Sequence, residues 1–187
     1  MDLELPKHVR EGDILAGKYR VERILGAGGM GVVVAAKHLQ LNQRVAIKFL
    51  LPHCMGNAEV VGRFMREAQA AVRIKSEHVA RVLDVGNLET GAPYMVIEYL
   101  DGRDLGSWLA QKGVLPVEQA VDFVLQAMEA IAEAHSLGII HRDLKPANLY
   151  CVRSADAGLR VKVLDFGISK IQDSRSLDLT RTSTVIG

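Results

Sequence analysis

The stretch Ile139-Ile140-His141-Arg142-Asp143-Leu144-Lys145-Pro146-Ala147-Asn148-Leu149 constrains this chain more than any other. It packs an acid, two basic side chains, a carboxamide able to bind a metal ion and a proline into one short segment. Apolar residues close it at both ends: Ile139 and Ile140 before, Leu149 to Val152 after. That pattern predicts a rigid loop pinned by buried strand-like residues, with its polar groups turned towards a cleft. An ordinary polar loop between two core elements would also accommodate His-Arg-Asp. Lys145 and Asn148 at their fixed offsets set this one apart.

Composition bounds the setting. The chain has 187 residues, a formal net charge of +1 and 49% hydrophobic residues, which describes a globular chain of one sizeable domain or two small lobes. The near-neutral balance gives no reason to expect nucleic acid or an anionic membrane as partner. Only two cysteines occur, Cys54 and Cys151, and neither has a ligand-type spacing. Disulfide frameworks and zinc sites are therefore not expected, and a reducing compartment is natural. The acidic start Met1-Asp2-Leu3-Glu4 and the lack of a long apolar run point to a cytoplasmic chain with no membrane span in the part covered.

Residues 1–18 read as a polar lead-in. Tyr19 to Leu25 then alternates like a half-buried strand. Gly26-Ala27-Gly28-Gly29-Met30-Gly31 interrupts it, and Val32 to Ala36 follows. A dinucleotide-binding fold shares this glycine spacing, but it needs a helix after the glycines to receive the pyrophosphate. Here a β-branched run follows, which favours a strand and so a glycine-rich hairpin. Three glycines at these offsets would let backbone N–H groups approach phosphate oxygens with no Cβ in the way.

The next strand, Arg44 to Leu50, places Val45, Ile47 and Phe49 on one face and Ala46 with Lys48 on the other. A small residue beside an ammonium suits a flat base and the phosphates attached to it. Asn57 to Lys75 reads as an amphipathic helix with Val60, Val61, Phe64, Met65, Ala68, Ala71 and Val72 inside. Glu67 falls on that inner face by helical spacing. A carboxylate there needs a cation, and Lys48 is the expected partner, ahead of a surface pairing with Arg63 or Arg66.

Arg81 to Gly86 and Tyr94 to Leu100 read as two strands, with a hinge between lobes at Asp101-Gly102. Asp104 opens a short helix that Gly113 closes. A longer helix is predicted from about Pro116 to Leu137, with Val117, Ala120, Val121, Val124, Leu125, Met128, Ile131, Ala132 and His135 on one stripe and Gly138 as its C′ residue. On that reading His135 is a core histidine. Leu149 to Val152 and Leu159 to Leu164 form a further strand pair, followed at once by Asp165-Phe166-Gly167.

Taken in order, Gly26/Gly28/Gly31, Lys48, Glu67, Asp143/Lys145/Asn148 and Asp165 resemble the protein kinase family across Tyr19 to Gly167, particularly the eukaryotic-like serine/threonine kinases of bacteria. Gly-Ala-Gly-Gly-Met-Gly, Val-Ala-Ile-Lys, His-Arg-Asp-Leu-Lys-Pro-Ala-Asn and Asp-Phe-Gly carry the resemblance. It implies an α+β, two-lobed kinase-like fold: a β-rich N-lobe with one helix over 19–100 and an incomplete helical C-lobe over 101–187. It also implies ATP and Mg²⁺ as cofactors, and proteins bearing Ser/Thr hydroxyls, this chain among them, as phosphoryl acceptors.

The same resemblance assigns roles, following the general template of kinase phosphoryl transfer. Gly26, Gly28 and Gly31 would cover the phosphates, and Lys48, oriented by Glu67, would hold the α- and β-phosphates. Asn148 and Asp165 would bind Mg²⁺. Asp143 would accept the proton of the substrate hydroxyl and Lys145 would steady the transferring group. Val33 and Ala46 would line the adenine pocket, Ile97 would guard its rear, and Glu98 and Leu100 would offer backbone hydrogen bonds. Lys145-Pro146-Ala147-Asn148 follows the serine/threonine pattern rather than the tyrosine one.

Asp173 to Gly187 is rich in Ser and Thr, as an activation segment would be, and Thr180, Thr182, Ser183 and Thr184 are expected phosphorylation sites able to pair with Arg142. The closing Ala-Pro-Glu-like motif and further large-lobe helices do not follow in this sequence. The expectation is therefore an exposed apolar face on the long helix and a marginally stable chain. The alternative to an active kinase is an inactive nucleotide-binding fragment or pseudokinase.

Overall fold

The computed structural model describes residues 9–28, 31–154 and 158–166. The Ser/Thr-rich stretch expected to carry phosphorylation sites lies outside them, as do Gly29 and Met30.

The small lobe is one antiparallel sheet of six strands: β1 (Ile14–Leu15), β2 (Tyr19–Ala27), β3 (Gly31–His38), β4 (Gln43–Leu50), β5 (Val82–Asn87) and β6 (Pro93–Glu98). Their spatial order is β1-β2-β3-β4-β6-β5. The glycine hairpin is the β2–β3 connection, with Gly26 opposite Val33 and Ala27 opposite Val32. The lead-in is not wholly polar, because β1 pairs with β2 and both Val9 and Leu15 are buried. Its isolated apolar residues gave no periodicity to read.

Helix α1 (Ala58–Arg73) crosses the sheet, capped by the Asn57 side chain, which accepts from the Glu59 and Val60 amides at 3.0 and 3.3 Å. Phe64 and Ala68 pack into the small-lobe core. Val72, predicted inside, is exposed, and Ala70 is buried in its place. The reason is that α1 serves two cores: Ala70 and Ile74 belong to the large-lobe cluster.

The large lobe contains β7 (Gly102–Asp104), α2 (Leu105–Lys112), α3 (Val117–Ser136), β8 (Leu149–Arg153) and β9 (Leu159–Val163), the strands in the order β7-β8-β9. Asp104 caps α2 through the Ser107 amide at 2.8 Å. Gly138 takes φ +74° just past α3, a backbone angle that suits glycine at C′. The face α3 buries is Phe123, Ala127, Ala130 and Ala134, not the predicted stripe. Val117, Val121, Val124, Leu125 and Met128 point to solvent, and His135 is exposed rather than core. Alanines win the inner face because the helix lies close to β9.

The outer edge of β9 is closed without another strand. Gln126 of α3 donates from Nε2 to Leu159 O at 3.2 Å and accepts from Val161 N–H at 2.7 Å. His78 Nδ1 donates to Val161 O at 3.0 Å, and Val163 N–H donates to His78 O at 2.7 Å. Ala80 N–H completes the row by donating to Val163 O at 3.2 Å.

Candidate active site

Strand period places Lys48 on the cleft face of β4, and helical spacing brings Glu67 over it. Lys48 Nζ lies 2.7 Å from Glu67 Oε1 and 2.7 Å from Asp165 Oδ1. The predicted pairing of Lys48 with Glu67 is therefore present, while Arg63 pairs with Glu59. Burial alone would discharge the Lys48 ammonium, but Asp165 and Glu67 outweigh it and raise its pKa. Burial likewise works against the Asp165 carboxylate, yet Lys48 prevails and holds it below the ordinary range. For Glu67 burial wins over Lys48, and its pKa is raised.

These groups line a cavity of about 510 Å³ between the lobes. Gly26, Val33, Ala46, Ile97, Glu98 and Leu100, the residues given to the phosphates and the adenine pocket above, line it too. Gly28 and Gly31 do not. The Gly28 amide closes the hairpin turn on Gly31 O at 2.9 Å. At Gly31 an added Cβ would stand 2.7 Å from Phe49 O, so close approach of β4 explains that glycine as fully as a phosphate would. Val79, Ala80 and Met95 also line the cavity and escaped the sequence reading. Met95 was legible, since it shares a strand face with Ile97.

Asp143, Lys145 and Asn148 gather beside this cavity, joined to it through Ala147, which lines it. Lys145 Nζ lies 2.9 Å from Asp143 Oδ2. Asn148 Nδ2 donates to Asp143 O at 2.8 Å and to its Oδ2 at 3.3 Å, which leaves Oδ1 as the amide's acceptor. A turn of 3₁₀ helix over Pro146–Asn148 sets Asn148 in place.

His141, buried, fixes the segment from beneath. Its Nε2 donates to Leu164 O at 2.9 Å, so Nδ1 is the acceptor that takes the Asp143 amide at 3.3 Å. Leu164 N–H in turn donates to Asn148 O at 2.9 Å. The His141 ring also packs on Phe166 with centroids 4.9 Å apart. The loop and the Asp165 segment are thus bonded to each other at several points. Arg142 and Asp165 both hold positive φ, at 62° and 48°, as do Ala16 and Asn42 in turns away from the site. Ile140, expected to pin the loop, is exposed, and Ile139 alone is buried before it.

Asp165 and the Asn148 amide oxygen are hard oxygen donors of the kind Mg²⁺ prefers, and such sites are commonly completed by substrate phosphates. Among the described residues no group of three His, Cys, Asp or Glu stands together, so the donor set does not suit a metal held by protein alone. Cys151, whose thiol burial pushes up to about 11, is no nucleophile.

The sheet, the cleft and the bonded loop define a two-lobed kinase-like fold. Residues 19–186 match the family model described as protein kinase domain, and the chain belongs to that family. It is 42% identical over 178 residues to the serine/threonine-protein kinase pkn3 of Myxococcus xanthus, a match covering 94% of this chain and 32% of that one. With the serine/threonine-protein kinase PknB of Mycobacterium leprae the identity is 40% over 177 residues, covering 92% and 28%. The crystal structure of the Mycobacterium tuberculosis PknI kinase domain superposes with a TM-score of 0.72 at 34% identity, over 86% of this chain and 64% of that one. The chain thus spans about a third of the length of these curated relatives.

Proposed function

We propose that this chain carries the nucleotide-binding and phosphoryl-transfer groups of an ATP-dependent serine/threonine protein kinase, with 19–100 as the nucleotide-binding lobe and 101–187 as part of the catalytic lobe. The observation that carries the reading is Lys48 held between Glu67 and Asp165 at 2.7 Å each, facing a cavity shaped by Val33, Ala46 and Ile97. Phosphoryl transfer asks a protein mainly to position groups and neutralise charge. Lys48 supplies a fixed positive charge for the α- and β-phosphates. The Glu98 amide is committed to Arg81 O at 2.9 Å, so of its backbone groups only the carbonyl can serve the base.

Mg²⁺, when bound, neutralises charge on the β- and γ-phosphates, and Asn148 Oδ1 and Asp165 are the side-chain oxygens that would hold it. Asp143, with its backbone amide fixed by His141, orients and deprotonates the acceptor hydroxyl. Lys145, 2.9 Å from it, balances the charge of that carboxylate and of the incoming phosphoryl group. Protein Ser/Thr side chains are the acceptors, and self-phosphorylation within Leu179–Val185 belongs to the same reading. Arg142, Arg66 and Arg73 surround a separate cavity of about 330 Å³ that offers such a phosphate a basic wall. The cytoplasm supplies ATP and Mg²⁺ and suits two buried, unbridged cysteines.

The test separates binding from chemistry. Lys48→Met is expected to raise the Kd for a fluorescent ATP analogue by about tenfold or more, because it strands the paired carboxylates. Asp143→Asn is expected to spare that affinity and to lower transfer from radiolabelled ATP to a generic basic protein by roughly 10²–10⁴-fold. Wild-type transfer by Asp143→Asn, or wild-type affinity in Lys48→Met, would sink the corresponding role.

A further inference from the structure

Lys162 is a lysine inside the protein, its side chain only 10% exposed, and the chemistry described above makes no use of it. It sits on β9, three residues before Asp165. Its Nζ lies 2.7 Å from Glu98 Oε1 at the end of β6 and 3.4 Å from Val79 O. The same Oε1 accepts from the Arg81 amide at 2.9 Å, and the Glu98 amide returns to Arg81 O at 2.9 Å. Arg81 Nε stands 3.9 Å from the other Glu98 oxygen, on a side chain that is itself 69% exposed. One ammonium therefore ties three segments: the large-lobe strand β9, the linker before β5 and the last residue of β6.

Such a pair is poorly explained by stability. Desolvating both charges offsets most of their attraction, and well-packed apolar residues hold a core at least as firmly. What an ion pair adds over an apolar contact is a fixed geometry, and the geometry here bears on the cavity. Glu98 and Leu100 line it on the small-lobe side, and Val163, Leu164 and Asp165 line it on the other. Beyond β6 the direct covalent link between the two walls is the short crossing Tyr99 to Asp101.

We infer that Lys162 is a positioning residue for the nucleotide: through Glu98 it fixes the backbone that meets the base, and through β9 it fixes Asp165 relative to that backbone. This rests on the reading of the cavity as the Mg·ATP site.

The experiment compares three forms of the full chain: wild type, Lys162→Met, and Lys162→Met combined with Glu98→Gln. Hydrogen exchange is followed at the Arg81 and Glu98 amides without nucleotide, and Kd is measured with the fluorescent ATP analogue. Lys162→Met is expected to speed exchange at those two amides about tenfold and to raise Kd by a similar factor, the scale of one hydrogen bond to a charged group. The double variant removes the stranded carboxylate charge, so its melting temperature returns towards wild type while Kd stays raised. A Kd that recovers together with the melting temperature, or that never moves, would overturn the positioning role and leave Lys162 a structural residue. If the wild-type chain fails to bind the analogue at all, the Mg·ATP reading fails. Exchange then decides the clamp by itself, and unchanged rates at Arg81 and Glu98 would overturn it.

Discussion

The two lobes solve the same packing problem to different degrees. In the small lobe, strand alternation assigns every apolar side chain a face, and Val32, Val34 and Ile47 are fully buried between the sheet and α1. In the large lobe, α3 carries apolar residues most of the way round. It buries Phe123 and three alanines, yet leaves Val117 at 79%, Leu125 at 55% and Met128 at 59% exposure. Each such side chain is worth about 1.5–3 kcal/mol when covered, so together they rival the whole net stability of a typical domain. The small lobe exposes apolar side chains such as Leu41 and Val85 scattered over several strands and turns, whereas the large lobe gathers most of its own on one helix. Of the groups proposed to act on nucleotide, Lys48 and Glu67 stand on the small lobe, and Asp143 and Asn148 on the large one.

The largest effect that would break this comparison comes from one core phenylalanine in each lobe. Phe49→Ala should cost about 3–5 kcal/mol, because the sheet around it cannot collapse into the space left. Phe123→Ala should cost nearer the lower end of that range, since α3 is free to shift on its open side. Denaturant unfolding read lobe by lobe through hydrogen exchange measures both, and a larger loss for Phe123→Ala would reverse the ranking. Next comes the glycine hairpin. Gly31→Ala drives a methyl group towards Phe49 O and should cost about 1–3 kcal/mol, the usual penalty of overpacking. Gly26→Ala meets nothing within 4 Å and should leave the melting temperature unchanged. Equal shifts for the two glycines would contradict the close approach of β4. The smallest effect on stability is expected on the open face, where Leu125→Lys with Met128→Lys should alter unfolding free energy by only about 0.5 kcal/mol. Light scattering should nevertheless show less concentration-dependent association. Unaltered association would mean the exposed stripe is not what brings molecules together.

The sequence exposed most of the candidate site because its groups lie in short words whose periods fix their directions. Lys48 follows from strand alternation, Glu67 from helical spacing, and the Asp143–Asn148 loop from a proline-containing segment between apolar ends. What stayed hidden depends on contacts between distant residues. The ion pair of Glu98 and Lys162 joins positions 64 apart, and nothing local marks the two as partners. The facing of α3 was misread for another reason. Large aliphatic side chains dominate a hydrophobicity pattern, whereas the buried alanines mark where the helix comes close to β9. Val9 and Leu15 carry no such signal, because isolated apolar residues in a polar stretch make no period.

The closed edge of β9 has a consequence of its own. A strand at the border of a sheet normally presents unpaired amides and carbonyls that can recruit a strand from another molecule. Here an amide side chain from α3, an imidazole and two backbone groups from the linker before β5 occupy those positions in sequence. The three-stranded sheet is therefore finite along that border and offers no template for fibre growth there. The groups that occupy the border sit with the large lobe: Val79, between His78 and Ala80, packs in the same core as Val161 and Val163. That lobe thus carries its own guard against cross-β assembly, in the Gln126 and His78 side chains.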